Sequence, residues 1–561
     1  MDPRAALCSR PRSALHGWNL REGEATLIDC LPASACCDRG LYARGMLIPS
    51  SWAPRLPIRV RVALTDARIA WKVVRIRRCG HRHVASRKGI ARQERQAHSV
   101  NAAEDRQARL MSGWLDLDRV IGVSWKSPVP LCSAVSCALL VIHTFTREGI
   151  QGERLEPSEI EFYFDSIEEA QSLEAAVWAV LRSTSRPRNL LVLVNPYGGK
   201  RQGREKWGVA CEVLSAARVK VHVVETKYAG HAGEIVTQSL FRENRESGTG
   251  LDGLVCVGGD GLVNEVLEAL YTCKHVSHIP LGIVPAGSTD ATAMSIMGTN
   301  DASTAAIHIA LGASSQINLI EVRTARLQKA VRGESTLAPS NCVIECLNSS
   351  ESVRYVAGAL LYGYFGEVMR RSESDRMRNL FGPSRYDVAG AVTLAALPKF
   401  KTRVRFRQVN SRRGDVSAPI WSERIGRYTC VNMFGLPCVS PKTPSGIVPE
   451  LMPGAGYFVL ILLKSRGGRL GMLRHLLKMS SKGISAKASA GGEFIRAEEV
   501  IVEQLGGREG CWNADGELIR PFQPGMILRS KLCGKITMMG HPPSARTRKA
   551  RCAISNNEMF D

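Results

Sequence analysis

One carboxylate, Asp260, stands among three glycines in the string Gly258-Gly259-Asp260-Gly261, between an apolar run and a helical pattern. Glycine is a poor former of helices and strands, so such a cluster usually marks a loop whose backbone closely approaches a ligand. In that loop Asp260 could accept a proton from a hydroxyl group or help to hold a metal ion. It could also serve only as the cap of the following helix. We favour the chemical role because the complete string, and not a single Asp, follows the apolar run.

Two other strings that follow apolar runs offer donors for phosphate. Residues 195–200 read NPYGGK and residues 285–290 read PAGSTD. Paired glycines let backbone N–H groups approach a phosphate, Lys200 adds positive charge, and Ser288 and Thr289 add hydroxyl donors. A tight turn explains the first string equally well, and a Ser/Thr helix cap explains the second. A fourth string, WNADGE at 512–517, contains an Asp-Gly pair that by itself predicts only a turn.

The elements around these strings predict an α/β fold. Short apolar runs alternate with helical patterns from residue 190 to residue 311, which indicates βαβ units around a parallel sheet. In such sheets ligands bind at the carboxyl ends of the strands, where the glycine strings lie. Beyond about residue 315 a β-rich second lobe is expected, and a cleft between the lobes is the natural ligand site. The strands predicted in that lobe are 317–322, 341–347, 353–361, 404–409, 428–434 and 457–463.

The region before residue 188 is expected to hold two different parts. Residues 1–105 are rich in Pro, Gly and Arg without clear periodicity, so a largely irregular segment is expected there. Residues 106–185 show several strand patterns closed by one amphipathic helix at 167–182. Such an arrangement resembles a pleckstrin-homology domain. The residues that share the apolar face of the helix are Ala170, Leu173, Ala176, Val177 and Val180.

The predicted organisation therefore has five parts. They are a basic irregular segment at 1–105, a pleckstrin-homology-like domain at 106–185, a first catalytic lobe at 188–314, a β-rich lobe at 315–535 and a flexible tail at 536–561.

Composition limits the class of protein. The chain of 561 residues carries a net charge of +23, and its longest apolar stretches, 131–142 and 457–463, are shorter than the roughly 20 residues that cross a bilayer. The 17 cysteines show no paired CxxC spacing, so reduced thiols are expected rather than a zinc site or disulfides. A basic run over 68–95 lacks aromatic interleaving and any nucleic-acid motif. We therefore expect a cytoplasmic protein that binds anionic membrane surfaces peripherally and does not bind nucleic acid.

The four strings together resemble the diacylglycerol kinase catalytic superfamily. NPYGGK, GGDGLVNEV, PAGSTD and WNADGE occur in the order and approximate spacing of that family over residues 188–533. The run PAGSTDATAMSIMGTNDASTAAIHIALG at 285–312, with SRYD at 384–387, is similar to the ceramide kinases, which carry a pleckstrin-homology domain before the catalytic region. The resemblance implies a two-lobe lipid kinase with an α/β nucleotide-binding lobe and a β-rich C-terminal lobe.

The resemblance also implies a lipid site and a nucleotide site. Asp260 would accept the hydroxyl proton of the lipid, and Gly258, Gly259 and Gly261 would contact that lipid. The metal ligands are left open. The positions that match ATP contacts of the family are Asn195, Pro196, Tyr197, Thr226, Lys227, Tyr228, Ala229, Gly230, Glu265, Gly287, Ser288, Thr289, Arg376, Arg385, Asp515, Gly516 and Glu517.

Two positions depart from the family pattern. Lys227 stands where relatives have Glu, and Glu367 stands where Asp is usual, with the same charge on a longer side chain. The activity that the resemblance implies is transfer of the γ-phosphoryl group of ATP, with Mg²⁺, to the primary hydroxyl of ceramide. Sphingosine or diacylglycerol as acceptor is the nearest alternative, and a catalytically weak lipid-binding protein is the other. NAD kinases also use a GGDG loop, but without the PAGSTD string or the preceding domain.

Overall fold

The computed structural model of the chain describes residues 41–47, 58–64, 67–76, 113–132, 135–148, 154–164, 166–199, 201–243, 250–273, 279–327, 341–348, 353–409, 421–438, 443, 446–464, 467–481, 483–484 and 492–542. The described residues form two compact units, one within Met1–Thr144 and Glu159–Thr184 and the other within Phe145–Ser158 and Ser185–Asp561. In the described part of the chain no helix combines the length and the hydropathy that a membrane-spanning segment needs.

Seven strands and one long helix make up the first unit. The strands are β1 (Leu41–Leu47), β2 (Ile58–Leu64), β3 (Arg68–Ile76), β4 (Gly113–Asp116), β5 (Gly122–Cys132), β6 (Val135–Glu148) and β7 (Arg154–Phe164). They form one sheet in the order β4-β3-β2-β1-β7-β6-β5. Helix α1 (Ile167–Arg182) follows and has the predicted bounds. Ser166 caps it by accepting a hydrogen bond from Glu169 N–H, and Trp178 donates its indole N–H to Val123 O at 3.0 Å.

Three of these strands lie within residues 1–105, for which the sequence predicts a largely irregular segment. That prediction is wrong for β1, β2 and β3. In β2 the sequence IRVRVAL alternates apolar and basic residues with the period of two that a strand requires. The sequence analysis found no clear periodicity in residues 1–105 and so overlooked this alternation. Residues 1–40 and 77–112 lie outside the described residues.

Four parallel strands with helices between them begin the second unit. In chain order the elements are β8 (Asn189–Val194), α2 (Gly203–Ala216), β9 (Lys220–Glu225), α3 (His231–Glu243), β10 (Gly253–Gly258), α4 (Asp260–Thr272), β11 (Leu281–Pro285), α5 (Ala291–Met297) and α6 (Ala302–Ala310). The strands lie in the order β11-β10-β8-β9. Both β10 and β11 are buried along their whole length, which explains their continuous apolar runs. The predicted α/β fold with a parallel sheet is therefore confirmed.

An antiparallel region continues the same sheet. Its strands are β12 (Ser314–Arg326), β13 (Val353–Val356), β14 (Ala359–Gly363), β15 (Phe400–Gln408), β16 (Trp421–Tyr428), β17 (Cys430–Phe434), β18 (Phe458–Leu463), β19 (Gly492–Gly506), β20 (Gly510–Ala514), β21 (Glu517–Phe522) and β22 (Met526–Met539). Strand β22 pairs with β11 at Met538 and Leu281, so the two predicted lobes share one sheet of 15 strands. Because β22 extends to Met539, the β-rich region also ends later than predicted.

Five helices accompany the antiparallel strands. They are α7 (Asn341–Asn348), α8 (Tyr364–Ser372), α9 (Asp375–Phe381), α10 (Arg385–Ala396) and α11 (Gly468–Ser481). The prediction of a strand at 341–347 is wrong, because α7 occupies that segment. Val343 and Leu347, four residues apart, are both buried in one cluster with Ile501 and Ile527. This helical spacing outweighs the β-branched residues that favoured a strand.

Candidate active site

Three loops converge where β8, β10 and β11 end. Asn195 N–H donates to Val257 O at 2.9 Å, and Ala286 N–H donates to Gly258 O at 3.0 Å, so each loop starts from a bond to the strand beside it. The loops border a cavity of about 550 Å³. The loop residues that line the cavity are Asn195, Gly198, Gly199, Gly259, Asp260, Gly261, Gly287, Ser288 and Thr289.

The glycines let these loops touch backbone to backbone. A Cβ atom on Gly287 would lie 2.5 Å from Gly259 Cα, and a Cβ atom on Gly259 would lie 3.0 Å from Gly287 Cα. Gly199 has a φ of +56°, and a Cβ there would lie 2.7 Å from Ala286 O. Gly259 has a φ of −100°, so this position requires space and not a left-handed backbone. Because these positions carry no side chain, the backbone of the loops is exposed to the cavity. A phosphate site formed by backbone N–H groups requires this.

Asp260 is the first residue of α4, but its carboxylate caps the next helix. Oδ1 accepts hydrogen bonds from Thr292 N–H at 3.0 Å and from the Thr292 hydroxyl at 2.8 Å. Oδ2 accepts from Ala291 N–H at 2.9 Å and from the Thr289 hydroxyl at 3.0 Å. A carboxylate has about four acceptor positions, so all of them are in use. The cap interpretation thus holds for α5 rather than α4, and Asp260 still lines the cavity.

The Asp-Gly turn at 515–516 lines the same cavity. Asp515 has a φ of +46°, and its carboxylate accepts hydrogen bonds from three backbone N–H groups, those of Ala357 (3.0 Å), Gly358 (2.9 Å) and Ala359 (2.5 Å). Burial raises the pKa of Asp515 to about 6 against the effect of these donors, and the nearby Asp260 carboxylate adds to the rise. Asp515, Gly516 and Glu517 line the cavity, so the fourth string does meet the other three.

Aromatic packing holds this turn in place. Trp512, two residues before Ala514 at the end of β20, is completely buried and stacks on Tyr362 with ring centroids 4.8 Å apart. Tyr362 in turn donates its hydroxyl to Gln504 Oε1 at 2.9 Å. Glu517 pairs with Arg354 at 2.6 Å on the exposed side. The WNADGE string therefore combines a core anchor with a turn that faces the cavity.

The sequence analysis missed the apolar wall of the cavity. Leu361 on β14 and Phe365, Val368 and Met369 on α8 line it, beside Glu373 and Tyr386. Phe365, Val368 and Met369 lie at spacings of three and four, which place them on one face of a helix. That spacing was the available signal, but it is equally typical of ordinary core residues.

Several predicted nucleotide contacts do not line this cavity. Tyr197 is 68% exposed. Its N–H group and that of Gly198 both donate to Asn195 Oδ1 at 2.9 Å, so this oxygen stabilises the loop. Tyr228 donates its hydroxyl to Glu234 at 2.7 Å, and Lys227 N–H donates to His231 Nδ1 at 3.1 Å. The predicted residues outside the lining are Gly258, Pro196, Tyr197, Thr226, Lys227, Tyr228, Ala229, Gly230, Glu265, Arg376 and Arg385, and Lys200 lies outside the described residues.

Arg376, Arg385 and Glu367 do not line the cavity. The Arg385 guanidinium stacks over the Tyr386 ring at 4.5 Å and contacts Glu373 at 3.5 Å, while Arg376 is exposed on α9. Glu367 is buried and pairs with Arg370 at 2.8 Å and Arg508 at 3.1 Å. The longer side chain at 367 therefore forms a buried ion-pair cluster and does not line the cavity.

The part of the chain that the structure describes holds no group of three or more His, Cys, Asp or Glu side chains suited to a metal ion. The carboxylates that line the cavity are Asp260, Glu373, Asp515 and Glu517. A Mg²⁺ ion usually takes one or two protein carboxylates together with substrate phosphates and water. The cavity residues therefore fit an ion that a nucleotide brings with it better than a site built from protein ligands alone.

The chain is similar to several known lipid kinases. Residues 189–322 match the family model of the diacylglycerol kinase catalytic domain. The chain is 27% identical to a mouse ceramide kinase over 350 residues, which are 53% of this chain and 59% of that protein. It is 23% identical to an Arabidopsis thaliana ceramide kinase over 504 residues, 68% of this chain and 79% of that protein. A crystal structure of a diacylglycerol kinase from Bacillus anthracis str. Sterne aligns at 14% identity with a TM-score of 0.40, over 64% of this chain and 98% of that chain.

The match to the mouse protein leaves part of that relative uncovered, since this chain spans 59% of its length. The matched region nevertheless contains the three glycine loops and the cavity side of the parallel sheet. Residues 189–322 are therefore similar to diacylglycerol kinase catalytic domains, and longer stretches of the chain are similar to ceramide kinases.

Proposed function

We propose that this chain is an ATP-dependent lipid kinase that transfers the γ-phosphoryl group of ATP to the primary hydroxyl group of ceramide. The observation that carries the proposal is one cavity in which the glycine loops and Asp260 face the apolar side chains of α8. A backbone phosphate site beside an apolar wall suits a phosphate donor and a lipid acceptor together. The mouse and Arabidopsis ceramide kinases among the relatives support ceramide as the acceptor.

In the proposed reaction Asp260 accepts the proton of the lipid hydroxyl while the hydroxyl oxygen attacks the γ-phosphorus. The bond between the γ-phosphorus and the oxygen that bridges it to the β-phosphate breaks, and ADP leaves with that oxygen. Because its four acceptor positions are occupied, one hydrogen bond must open first. The bond from Thr289 is the one that can open most readily, since Thr289 is exposed and the other three close the first turn of α5. The acceptor hydroxyl would then replace the Thr289 hydroxyl on Oδ2.

Phosphate binding falls to the backbone of the glycine loops. Gly199, Gly259 and Ser288 line the cavity without bulky side chains, so their N–H groups can approach the transferring phosphate. Gly198 and Gly287 also line the cavity, but their N–H groups donate to Asn195 Oδ1 at 2.9 Å and to Asp290 Oδ1 at 2.8 Å. A bound Mg²⁺ would neutralise developing phosphoryl charge. Asp515 is placed to hold such an ion through water, because its three hydrogen bonds leave one acceptor position. The remaining predicted ATP contacts, including Tyr228, Glu265 and Arg376, stay predictions.

The apolar wall of the cavity offers no unpaired carboxylate to an amine acceptor such as sphingosine. Glu367, the acidic residue nearest in sequence to the apolar wall, is buried between Arg370 and Arg508. Glu373, which does line the cavity, contacts Arg378 and Arg385. Both carboxylates are therefore neutralised by arginine, and neither can offer an unpaired charge to an ammonium group. The amide of ceramide needs no such partner.

The first unit is proposed to be pleckstrin-homology-like and to recruit the kinase to anionic membrane. Its seven-stranded sheet followed by α1 supports this assignment, as does the basic run over 68–95. Deleting residues 1–185 should weaken co-sedimentation with anionic liposomes at low salt, and high salt should weaken binding of the intact chain. The deletion also removes 145–158, a segment of the second unit, so a thermal melt must accompany it. Equal sedimentation of a folded truncated chain would refute the recruitment.

The deciding experiment is transfer of radiolabelled phosphate from ATP to lipids in mixed micelles. Ceramide, sphingosine and diacylglycerol are compared under the same conditions, with Asp260→Asn as the control. We expect phosphorylation of ceramide to exceed that of the other two. Preferential labelling of sphingosine would overturn the argument from Glu367 and Glu373, and a lack of labelling of every lipid would overturn the kinase assignment.

A catalytically weak lipid-binding protein is the second candidate. The saturated carboxylate of Asp260 is the observation that favours it, because a fully bonded base resembles a structural cap. Binding of ceramide in micelles without any labelling would select this candidate. Labelling that Asp260→Asn abolishes would exclude it.

A further inference from the structure

Helix α11 carries apolar side chains on its outer as well as its inner face. Met472 is completely buried, and Met479 is buried on the same inner side. Leu470, Leu473 and Leu477 follow at positions i, i+3 and i+7 and are 57%, 39% and 60% exposed. A helix that is apolar all round is normally buried. The outer leucines of α11 form an apolar stripe that remains open to solvent.

The charges of α11 all have one sign. Its sequence GRLGMLRHLLKMSS contains Arg469, Arg474 and Lys478 and no Asp or Glu. Arg469 and Arg474 are exposed. The Arg469 Nε–H donates to Ala395 O at 2.7 Å, which ties the start of α11 to the end of α10. Leucines flanked by long cations, without a carboxylate, are typical of helices that lie in the interface of an anionic membrane.

The helix lies directly behind the apolar wall of the active-site cavity. Met472 belongs to a buried cluster against which Phe365, Val368 and Leu476 pack. Phe365 and Val368 also line the cavity. A surface that binds α11 would therefore also position the apolar wall of the cavity, which faces the proposed lipid acceptor.

We propose that the outer face of α11 docks on an anionic membrane surface. Leu470, Leu473 and Leu477 enter the boundary between headgroups and acyl chains, and Arg469 and Arg474 contact lipid phosphates. Charge complementarity selects this occupant over a second copy of the chain, because pairing two α11 faces would bring cations against cations. The docking itself is independent of the proposed function. Its use, which is to hold the cavity near a lipid substrate, rests on that function.

The test compares variants of the full chain on vesicles of phosphatidylcholine with and without phosphatidylserine. The variant Leu470→Ser/Leu473→Ser/Leu477→Ser should partition onto anionic vesicles at least about tenfold more weakly than the unmodified chain. Arg469→Gln/Arg474→Gln should lose about fivefold per arginine at low salt and little at high salt. A matched control, Val209→Ser/Ile425→Ser/Met452→Ser, removes three exposed apolar side chains elsewhere and should bind like the unmodified chain.

A local measurement separates α11 from other membrane contacts of the chain. Amide hydrogen exchange over 468–481 should slow when anionic vesicles are added, and the leucine variant should not show this slowing. Equal binding of the leucine variant and the control, or unchanged exchange over 468–481, would overturn the proposal. A third outcome would also overturn it. If the leucine variant kept vesicle binding but lost self-association or binding to an acidic protein, the outer face of α11 would be a protein-binding surface.

Activity in detergent micelles keeps the two proposals apart. The leucine variant should phosphorylate ceramide in micelles like the unmodified chain and should lose rate only on vesicles. Absence of kinase activity in the unmodified chain would refute the proposed function and leave the vesicle-binding result to decide the docking of α11.

Discussion

The hydroxyl group of Thr289 donates a hydrogen bond to Oδ2 of Asp260 at 3.0 Å, so the third glycine loop holds the acidic residue of the second. The other three hydrogen bonds to this carboxylate come from Ala291 and Thr292 in the first turn of α5. A side chain that caps one helix is thus also the proposed proton acceptor. Thr289 is exposed and marks the one acceptor position that can open without releasing α5.

The first prediction concerns this hydroxyl. Thr289→Val keeps the shape of the side chain but removes the donor. It should raise turnover by about twofold to tenfold, because the acceptor hydroxyl no longer has to displace the Thr289 hydroxyl from Oδ2, and three hydrogen bonds still orient Asp260. Thr289→Ser keeps the hydroxyl and should retain most activity. Turnover and KM for ceramide in micelles measure the effect. Equal turnover of the Val and Ser variants would show that the hydroxyl has no role.

The second prediction is that Asp260→Asn reduces both activity and stability. Turnover should fall by about 10²–10⁴ because the amide cannot accept the proton. Stability should fall by about 1–3 kcal/mol because the amide NH₂ group cannot accept the bonds that one carboxylate oxygen receives from α5 or Thr289. Phosphate transfer and thermal unfolding of the same preparation measure the two effects.

Thr292→Ala separates these two roles. It removes one hydroxyl donor to Asp260 Oδ1 and leaves the carboxylate in place, so we expect a modest loss of stability with turnover largely kept. If Thr292→Ala abolished turnover as completely as Asp260→Asn, the activity lost in Asp260→Asn would be explained by a disordered α5 rather than by a missing base.

The sequence predicted the side of the cavity formed by the parallel sheet because local rules determine it. Apolar runs such as 253–258 are buried strands, their carboxyl ends meet at one edge, and the glycine strings follow those ends. The bounds of α1 were predicted equally well from its periodic apolar face, and the structure adds Ser166 as the cap at its start. These signals lie within a few residues of the element that they describe.

The rest of the site depends on contacts between distant segments. Leu361 and Phe365 look like core residues until β14 and α8 bring them to the cavity. From the sequence alone Arg385 is available to a nucleotide, but in the fold it contacts Glu373, which lies 12 residues earlier in the chain. The role of Asp260 as a cap for α5 requires the fold to place residues 260 and 292 within hydrogen-bonding distance. Sequence spacing alone cannot indicate which of these side chains meet.

The third prediction contrasts two glycines in neighbouring loops. Gly287→Ala places a Cβ atom 2.5 Å from Gly259 Cα, so the loops must separate, and we expect a loss of about 1–3 kcal/mol in stability together with lost activity. Gly261→Ala has no atom within 4 Å of the added Cβ and lies in α4, so the fold should tolerate it. Thermal melts of both variants test the difference. Similar melting temperatures would contradict the tight packing of the loops.

The fourth prediction follows from the Asp515 carboxyl group, whose pKa burial raises from 3.8 to about 6. A raised pKa means that the folded state binds the proton more tightly than the unfolded state. The contribution of this group to the free energy of unfolding is therefore fully present below about pH 4, and it is lost as the pH rises through about 6. The amide side chain introduced by Asp515→Asn cannot titrate. The altered hydrogen bonds of this variant therefore lower the free energy of unfolding by the same amount at every pH. We expect the stability advantage of the unmodified chain over Asp515→Asn to shrink between about pH 4 and pH 6.5.

Denaturant unfolding of both chains across this pH range measures that gap, with Asp375→Asn, at an exposed position on α9, as the control. Asp375 is open to water, whereas Asp515 accepts hydrogen bonds from the backbone of 357–359, so the control removes a carboxylate without disturbing that backbone. A gap that widened with rising pH would mean that the three N–H donors dominate over burial and that Asp515 is ionised more readily in the folded state. A bound nucleotide with Mg²⁺ should lower the pKa of Asp515, as the three N–H donors do, because positive charge beside Asp515 favours its ionised form. The gap should then be less dependent on pH when ATP and Mg²⁺ are present.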